Sequence, residues 1–367
     1  MGDRPIAQVV LDWAGPLARH RDRHAFAGAL PAPPQTGTRL LHAWRADARV
    51  PLAAAPGGLV PGRWYPNRRL AGSRIAIPGT APGFRFGRDR SGLSWADFNH
   101  PLAGVPVTVS HRGFPPGAAA LPAGSVPGYP DLALLASAGG PGLQAPPLGE
   151  KVDYGSDLAR EDETDDAVFY RQPRHVDHLD ATALDELRTI HGRRLATGMR
   201  VLDLMASWNS HLPDLDLEAT GLGLNAQELA ANPRLGRRVV QDLNRHPSLP
   251  WGPGEFDAVL CSLSIEYLRD PASVIREVAR VLRPDGVFVV SFSERWFPPK
   301  VPRLWLDLRP FERLGWVLDL LARSGAFGRL ESETLRGFAR PAHDRHAGET
   351  PLADPLFVAS GRRRPVC

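Results

Sequence analysis

The chain has 367 residues, 43% of them hydrophobic and 23% charged, which is the composition of an ordinary soluble protein of about two domains. Its net charge is only +4 and its many arginines are spread along the chain, so no nucleic-acid partner is expected. The two cysteines cannot build a disulfide framework, and neither a signal peptide nor a run of 18 apolar residues is present, so we expect a cytoplasmic protein without a membrane partner.

The first part of the chain differs in composition from the rest. Residues 1–113 are rich in Pro, Gly and Arg and contain short strand-like runs at 74–77 and 105–110, which predicts a small β-rich module. Residues 114–160 are punctuated by Pro and Gly over most of their length and are predicted to be a linker. A second domain is predicted over residues 161–362.

Helical and strand patterns alternate through this second domain. The alternation predicts βαβ units, and hence an α/β fold with a Rossmann-like parallel sheet and helices on both faces. The predicted strands are 201–205, 219–224, 238–241, 256–262, 287–292, 329–336 and 355–360. The predicted helices are 181–196 after an Asp180 cap, 226–231, 271–282 after an Asp270 cap, and 308–324.

Ligands bind such sheets beyond the carboxyl ends of the strands, where the strand order reverses. The polar residues that directly follow the predicted strands are therefore the first candidates for a site. They lie at 203–210 after the first strand, at 223–225 after the second, at Asp242 after the third and at 262–266 after the fourth.

Residues 199–293 resemble a class I S-adenosylmethionine (SAM)-dependent methyltransferase of the broad type 11 kind. The resemblance is carried by an acid at Asp242, by Leu249-Pro250-Trp251, by Phe256-Asp257 and by the segment 280–286. It implies SAM as the cofactor, with Asp242 beside the adenine and with further cofactor contacts at Leu243 and Ser262. No GxGxxG motif follows a strand, which argues against a dinucleotide.

The loop after the first strand departs from that family's pattern. Met205, Ser207 and Asn209 stand where the pattern has three glycines, and Gly223 stands where it has an acid for the ribose hydroxyls. A non-glycine residue in a left-handed turn costs about 1–2 kcal/mol, which tertiary contacts can offset, and asparagine tolerates such a turn best.

We therefore expect a rebuilt pocket rather than a lost one. Asp203, Met205, Ala206 and Ser207 are predicted to line it and to offer main-chain N–H groups to the cofactor. Asn225 is predicted to take the ribose through its side-chain amide.

Two further groups complete the predicted site. The segment before the first helix is expected to cover the cofactor, with Arg174 on its carboxylate and Tyr170 over its sulfonium or adenine. Alternatively, Tyr170 only seals the domain edge and Arg174 pairs with nearby acids. The proposed catalytic residues are Glu266, Tyr267 and His211, with His178 as a further possible base. No spacing indicates a metal site.

A second, shorter resemblance lies in the N-terminal part. Residues 97–104 are similar to a segment of FKBP-type prolyl isomerases that carry a chaperone insert, and residues 60–65 match a neighbouring portion of that insert. Two alternatives to a methyltransferase follow: a pseudo-methyltransferase that serves as an interaction scaffold, and a prolyl isomerase with a passive C-terminal domain. The methyl acceptor stays open among small molecules, proteins and lipids.

Overall fold

The structure is a computed structural model that describes residues 6–27, 37–40, 49–73, 75–77, 83–113, 140–146 and 151–365. Its strands are β1 (Ile6–Ala14), β2 (Arg19–Ala27), β3 (Gly37–Leu40), β4 (Arg49–Leu52), β5 (Trp64–Pro66), β6 (Gly83–Arg88), β7 (Ser94–Asp97), β8 (Pro106–Gly113), β9 (Arg200–Leu204), β10 (Glu218–Gly223), β11 (Arg237–Val240), β12 (Phe256–Ser262), β13 (Leu282–Phe292), β14 (Phe327–Arg336) and β15 (Leu356–Arg363). Its α-helices are α1 (Asp166–Phe169), α2 (Ala181–Gly192), α3 (Ala226–Ala231), α4 (Pro271–Val281), α5 (Arg303–Asp307) and α6 (Pro310–Arg323).

Within the described residues, eleven of these strands form one sheet in the order β11-β10-β9-β12-β13-β15-β14-β2-β1-β8-β3. Strands β10, β11 and β12 run parallel to their neighbours in the β9 half of the sheet. The chain proceeds outward from β9 through β10 to β11 and then returns to the other side of β9 with β12. The strand order therefore reverses between β9 and β12, which is where such a fold opens a crevice.

Side chains of the central strands alternate between two cores, one on each face of the sheet. Leu202 and Leu204 belong to the core that α4 and α6 cover, whereas Val201 belongs to the core beneath α2 and α3. Because successive side chains of a strand point to opposite faces, a strand buried on both sides is apolar throughout. These layers confirm the predicted α/β class.

Helix starts follow the predicted caps. The Asp180 carboxylate accepts the Ala183 N–H at 3.1 Å, and the Asp270 carboxylate accepts the Ser273 N–H at 3.0 Å. The predicted helix 308–324 is confirmed as α6, which begins at Pro310, a residue that suits the first position of a helix because it lacks an N–H; the short helix α5 precedes it.

The N-terminal strands extend the sheet of the second part. β2 pairs in parallel with β14, and Asp22 on β2 accepts hydrogen bonds from Thr334 and from Arg336, the latter at 2.8 Å. A separate antiparallel sheet, β4-β7-β6-β5, packs around Phe84 and Phe86. The Trp64 N–H on this sheet donates to Glu312 of α6 at 2.8 Å.

Two N-terminal expectations differ from the structure. Of the predicted strand at 74–77, residue 74 lies outside the described residues and 75–77 have no regular structure. Of the predicted linker, residues 140–144 are buried, and within 151–160 Val152, Tyr154 and Arg160 are buried between mostly exposed neighbours. The rest of that segment lies outside the described residues, and the domain boundaries stay predictions.

Candidate cofactor site

A cavity of about 570 Å³ opens beyond the carboxyl ends of β9 to β12, at the point where the strand order reverses. Small-molecule sites commonly have this size and position. Twelve of the thirteen residues predicted for the site line the cavity: Tyr170, Arg174, Asp203, Met205, Ala206, Ser207, His211, Asn225, Asp242, Leu243, Ser262 and Tyr267. The sequence therefore located the cavity, although other residues also line it.

The loop after β9 keeps the backbone shape that its missing glycines would allow. Met205, at the first glycine position, has a φ of 58°, in the left-handed region. The next residue, Ala206, donates its N–H to the Leu222 carbonyl of β10 at 2.8 Å. Met205 and, further along the loop, His211 thus have left-handed backbone conformations, whereas Asn209, whose residue type tolerates such a turn best, does not.

The same loop explains the missing acid after β10. A Cβ atom at Gly223 would collide with the carbonyl oxygen of Ala206. Because the altered loop lies against β10 at this point, a carboxylate side chain has no room at residue 223. The conformation of the loop after β9 and the glycine at residue 223 therefore depend on each other.

Asn225 does not have the free amide that its predicted ribose contact requires. Its Oδ1 accepts the N–H groups of Gln227 and Glu228 at 2.9 and 3.1 Å and so caps α3. Its Nδ2 donates to the carbonyls of Tyr170 and Arg171 at 2.9 and 3.2 Å. Because both ends of the amide are engaged, Asn225 shapes the cavity wall. This corrects the prediction that its amide binds the ribose.

Asp203, the fourth residue of β9, lines the cavity. It is buried, and its Oδ2 has no hydrogen-bond partner within the described ranges. Burial raises the pKa of the Asp203 carboxyl to about 7, against a smaller opposing effect of a hydrogen bond from Ser210. An unsatisfied buried carboxyl that faces a cavity is an attractive site for a cationic ligand group.

His211 and His178 also face the cavity. Burial lowers the pKa of His211 to about 4, so its imidazole is neutral at neutral pH, and its Nδ1 lacks a partner in the part of the chain that the structure describes. Burial also lowers the pKa of His178, whose ring meets Phe297 edge-on at 5.5 Å. Of these two imidazoles, only that of His211 has a buried nitrogen without a partner among the described residues.

The segment before α2 covers the cavity as expected. The Arg174 guanidinium stands 4.9 Å from the Phe169 ring, 5.4 Å from the Tyr170 ring and 5.0 Å from the Phe297 ring. Its Nη1 and the Tyr170 hydroxyl are buried without partners among the described residues. Arg174 therefore makes cation–π contacts instead of the acid pairs that the alternative interpretation required.

The cavity is also lined by Asp242, Leu243 and Ser262, the three residues that the family resemblance assigns to the cofactor. The Asp242 carboxylate accepts the Asn244 N–H at 2.8 Å and turns the chain after β11. Leu243 is buried beside it, and the Ser262 hydroxyl at the end of β12 has no partner within the described residues. Asp203 on β9 and Asp242 after β11 thus both line the cavity, from strands that are separated in the sheet by β10.

Glu266 and Tyr267 differ in their placement. Tyr267 lines the cavity, and its hydroxyl oxygen accepts the Phe297 N–H at 3.0 Å. Glu266 is 1% exposed and does not line the cavity, which corrects its predicted catalytic role. Burial raises the pKa of the Glu266 carboxyl to about 8, and neither of its oxygens has a partner in the described ranges.

Sequence reasoning missed Glu228, which lines the cavity from α3. Its Oε2 accepts a hydrogen bond from the Ser207 hydroxyl at 2.6 Å, and its Oε1 accepts one from the main-chain N–H of Arg174 at 2.7 Å. The spacing Asn225-x-x-Glu228 was a visible sign of a helix start. Nothing in the sequence indicated that the glutamate bridges two distant segments.

Neither a metal centre nor a membrane-spanning helix is found in the described part of the chain. Among the described residues, no group of three or more His, Cys, Asp or Glu side chains is arranged to hold a metal ion. In the same part of the chain, no helix has both the length and the apolar character needed to cross a bilayer.

Comparison with known proteins agrees with this geometry. Residues 199–290 match the family described as "Methyltransferase domain". A ubiquinone biosynthesis O-methyltransferase of Marinobacter nauticus is 28% identical over 191 residues, which cover 48% of this chain and 72% of that protein. One from Sodalis glossinidius is 33% identical over 101 residues, which cover 23% of this chain and 41% of that protein.

A solved structure, the S-adenosylmethionine-dependent methyltransferase from Mesorhizobium loti, aligns with a TM-score of 0.32 and 23% identity over 50% of this chain and 96% of that one. The sheet and the family match together define a class I methyltransferase fold in the C-terminal part. The cofactor of this class of domain is SAM. The resemblance of the N-terminal part to prolyl isomerases stays a prediction.

Proposed function

We propose that the protein binds SAM in the cavity beyond β9 to β12 and transfers its methyl group to a hydroxyl group of an acceptor. The observation that carries this proposal is the cavity itself, which is lined mainly by residues of the matched methyltransferase domain and has unpartnered buried polar atoms in its wall. Relatives that are named O-methyltransferases favour oxygen as the acceptor atom.

The residues present fit the cofactor. Asp203 offers an unsatisfied carboxyl to an ammonium group, and the Arg174 guanidinium offers an unpartnered Nη1 to a carboxylate. Asp242 lines the same cavity, and the family resemblance assigns this residue to the adenine. The volume of about 570 Å³ lies within the usual range for small-molecule sites.

When bound, SAM supplies a methyl group on a positively charged sulfur. The protein must align an acceptor oxygen with that group and exclude water, because orientation supplies much of the rate gain. The aromatic side chains of Tyr170, Tyr267, Trp296 and Phe297 line the cavity and are suited to that task. His211 is neutral and has a free Nδ1, so it can accept the proton of the acceptor hydroxyl.

We expect Asp242→Ala to weaken the binding of SAM and of S-adenosylhomocysteine at least about tenfold, because a hydrogen bond to a charged group is worth roughly 1.5–3 kcal/mol. Isothermal titration calorimetry measures both dissociation constants. Asp216→Ala is the matched control, since Asp216 is exposed and does not line the cavity.

Two outcomes count against parts of this proposal. An unchanged dissociation constant in Asp242→Ala would remove the adenine assignment. No heat from the unaltered protein at millimolar ligand would remove the enzyme interpretation and leave the pseudo-methyltransferase scaffold.

A further inference from the structure

The cover segment, residues 169–178, is fastened to the loop after β9 by hydrogen bonds from the loop's side chains. Trp208 Nε1 donates to the Val176 carbonyl at 3.1 Å. Asn209 Nδ2 donates to Oδ1 of Asp177 at 2.9 Å. Two neighbouring loop residues thus donate hydrogen bonds to two consecutive residues of the cover segment.

A third connection runs through Glu228. The Ser207 hydroxyl donates to one carboxylate oxygen of Glu228 at 2.6 Å, and the main-chain N–H of Arg174 donates to the other at 2.7 Å. Glu228 thereby joins the loop to the cover segment through charge-assisted hydrogen bonds, which are stronger than neutral ones. Residues 207, 208 and 209 thus each contribute one connection between the loop and the cover segment.

The first part of the cover segment has a separate attachment. Asn225 donates to the carbonyls of Tyr170 and Arg171. These bonds come from the start of α3 and do not involve the loop after β9. The loop's three connections therefore restrain the later part of the segment, around residues 174–177.

We propose that Ser207, Trp208 and Asn209 form a latch that holds the cover segment closed and thereby sets the rate at which ligand enters and leaves the cavity. Residues 207 and 209 are two of the three positions at which the methyltransferase pattern has glycine. A glycine has no side chain and can make neither the bond to Glu228 nor the bond to Asp177. The side chains at these two positions thus make contacts that glycine could not make, and the loop has its left-handed turn at Met205.

The latch is suited to opening without global unfolding. Asp177 and Val176 are exposed, so water competes for the hydrogen bonds that these residues accept. Segments with exposed hydrogen bonds open locally at a small fraction of the global stability. Ligand exchange through this opening is then faster than unfolding but slower than free diffusion into an open cleft.

The test is amide hydrogen exchange of the full-length, ligand-free chain, followed in peptides that cover residues 169–178. Asn209→Asp places two carboxylates against each other, and we expect it to raise exchange there about fivefold. The double variant Asn209→Asp with Asp177→Asn restores a donor and an acceptor in reversed positions, so exchange returns to the original rate. Peptides of α6 should exchange equally in all variants.

Unchanged exchange in Asn209→Asp, or a double variant that exchanges as fast as the single one, would overturn the latch. The identity of the ligand rests on the proposed function, whereas this exchange measurement needs no ligand. Stopped-flow Trp fluorescence then measures the release of S-adenosylhomocysteine, which Asn209→Asp should speed about fivefold. If Asn209→Asp accelerates amide exchange but the protein binds no S-adenosylhomocysteine, the result would contradict the proposed function and still support the latch.

Discussion

Replacing Glu266 with glutamine will stabilise the protein at pH 8 by about 2–4 kcal/mol and leave its stability near pH 4.5 almost unchanged. The cause is the isolation of this carboxyl: it is fully buried, neither oxygen has a partner within the described residues, and burial raises its pKa to about 8 from an ordinary value of 4.5. The main-chain N–H of Glu266 itself and, to a smaller extent, the nearby Arg313 lower that pKa but do not compensate for the burial.

The sign of the effect follows from proton binding. Between about pH 4.5 and 8 the folded protein keeps the Glu266 proton that the unfolded chain has lost. The free energy of unfolding therefore falls as pH rises through this window, by about 1.4 kcal/mol per pH unit for one such group. Glutamine has the shape of the protonated acid and no proton to lose, so this contribution disappears.

Urea unfolding at pH 5, 6, 7 and 8 measures the difference. Glu294→Gln is the matched control, because Glu294 is exposed at the cavity mouth and should show no such dependence. A Glu266→Gln variant that is less stable than the original protein at every pH would mean that the carboxylate has a partner that the described contacts do not include.

Replacing His211 with asparagine will lower the turnover number with a hydroxyl acceptor by about 100-fold or more, the usual contribution of a general base. Asparagine is the suitable replacement because residue 211 has a φ of 50°, and asparagine tolerates this left-handed conformation. The binding of S-adenosylhomocysteine should stay within about twofold, since the imidazole is assigned to the acceptor and not to the cofactor.

The pH profile gives an independent check on His211. An ordinary histidine gains a proton near pH 6.5, but burial lowers the pKa of His211 to about 4. The imidazole therefore stays able to accept a proton, and turnover should not fall between pH 8 and 6 on its account. Formation of S-adenosylhomocysteine with aromatic hydroxyl compounds measures both effects, and exposed His343→Asn is the control. Full activity in His211→Asn would assign the base elsewhere.

Local features of the fold could be predicted because their causes are local. Asp180 and Asp270 cap helices through bonds to residues three positions ahead, and an apolar run bounded by polar residues defined β12 at both ends. The pairing of β2 with β14 could not be predicted, since it joins residues about 310 positions apart through strand edges that carry no local signal.

The site was predictable in position but less so in the role of each residue. The strand ends gave its location, because parallel strands end at one edge. Asn225 and Glu266 have the right chemistry and the right place in the chain. However, the Asn225 amide caps α3, and the Glu266 carboxyl does not line the cavity. Such outcomes depend on side-chain direction and on distant partners such as Arg174 and Glu228, which spacing in the sequence does not fix.

The structure of the protein with S-adenosylhomocysteine tests the central claim most directly, namely that a loop without its glycines still forms the cofactor pocket. We predict that the ligand lies in the cavity between Asp203 and Asp242, with its amino group on Asp203 and its adenine beside Asp242, while Met205 keeps its positive φ. A ligand bound elsewhere, or an empty cavity at millimolar ligand with Met205 or Trp208 turned into it, would contradict the claim.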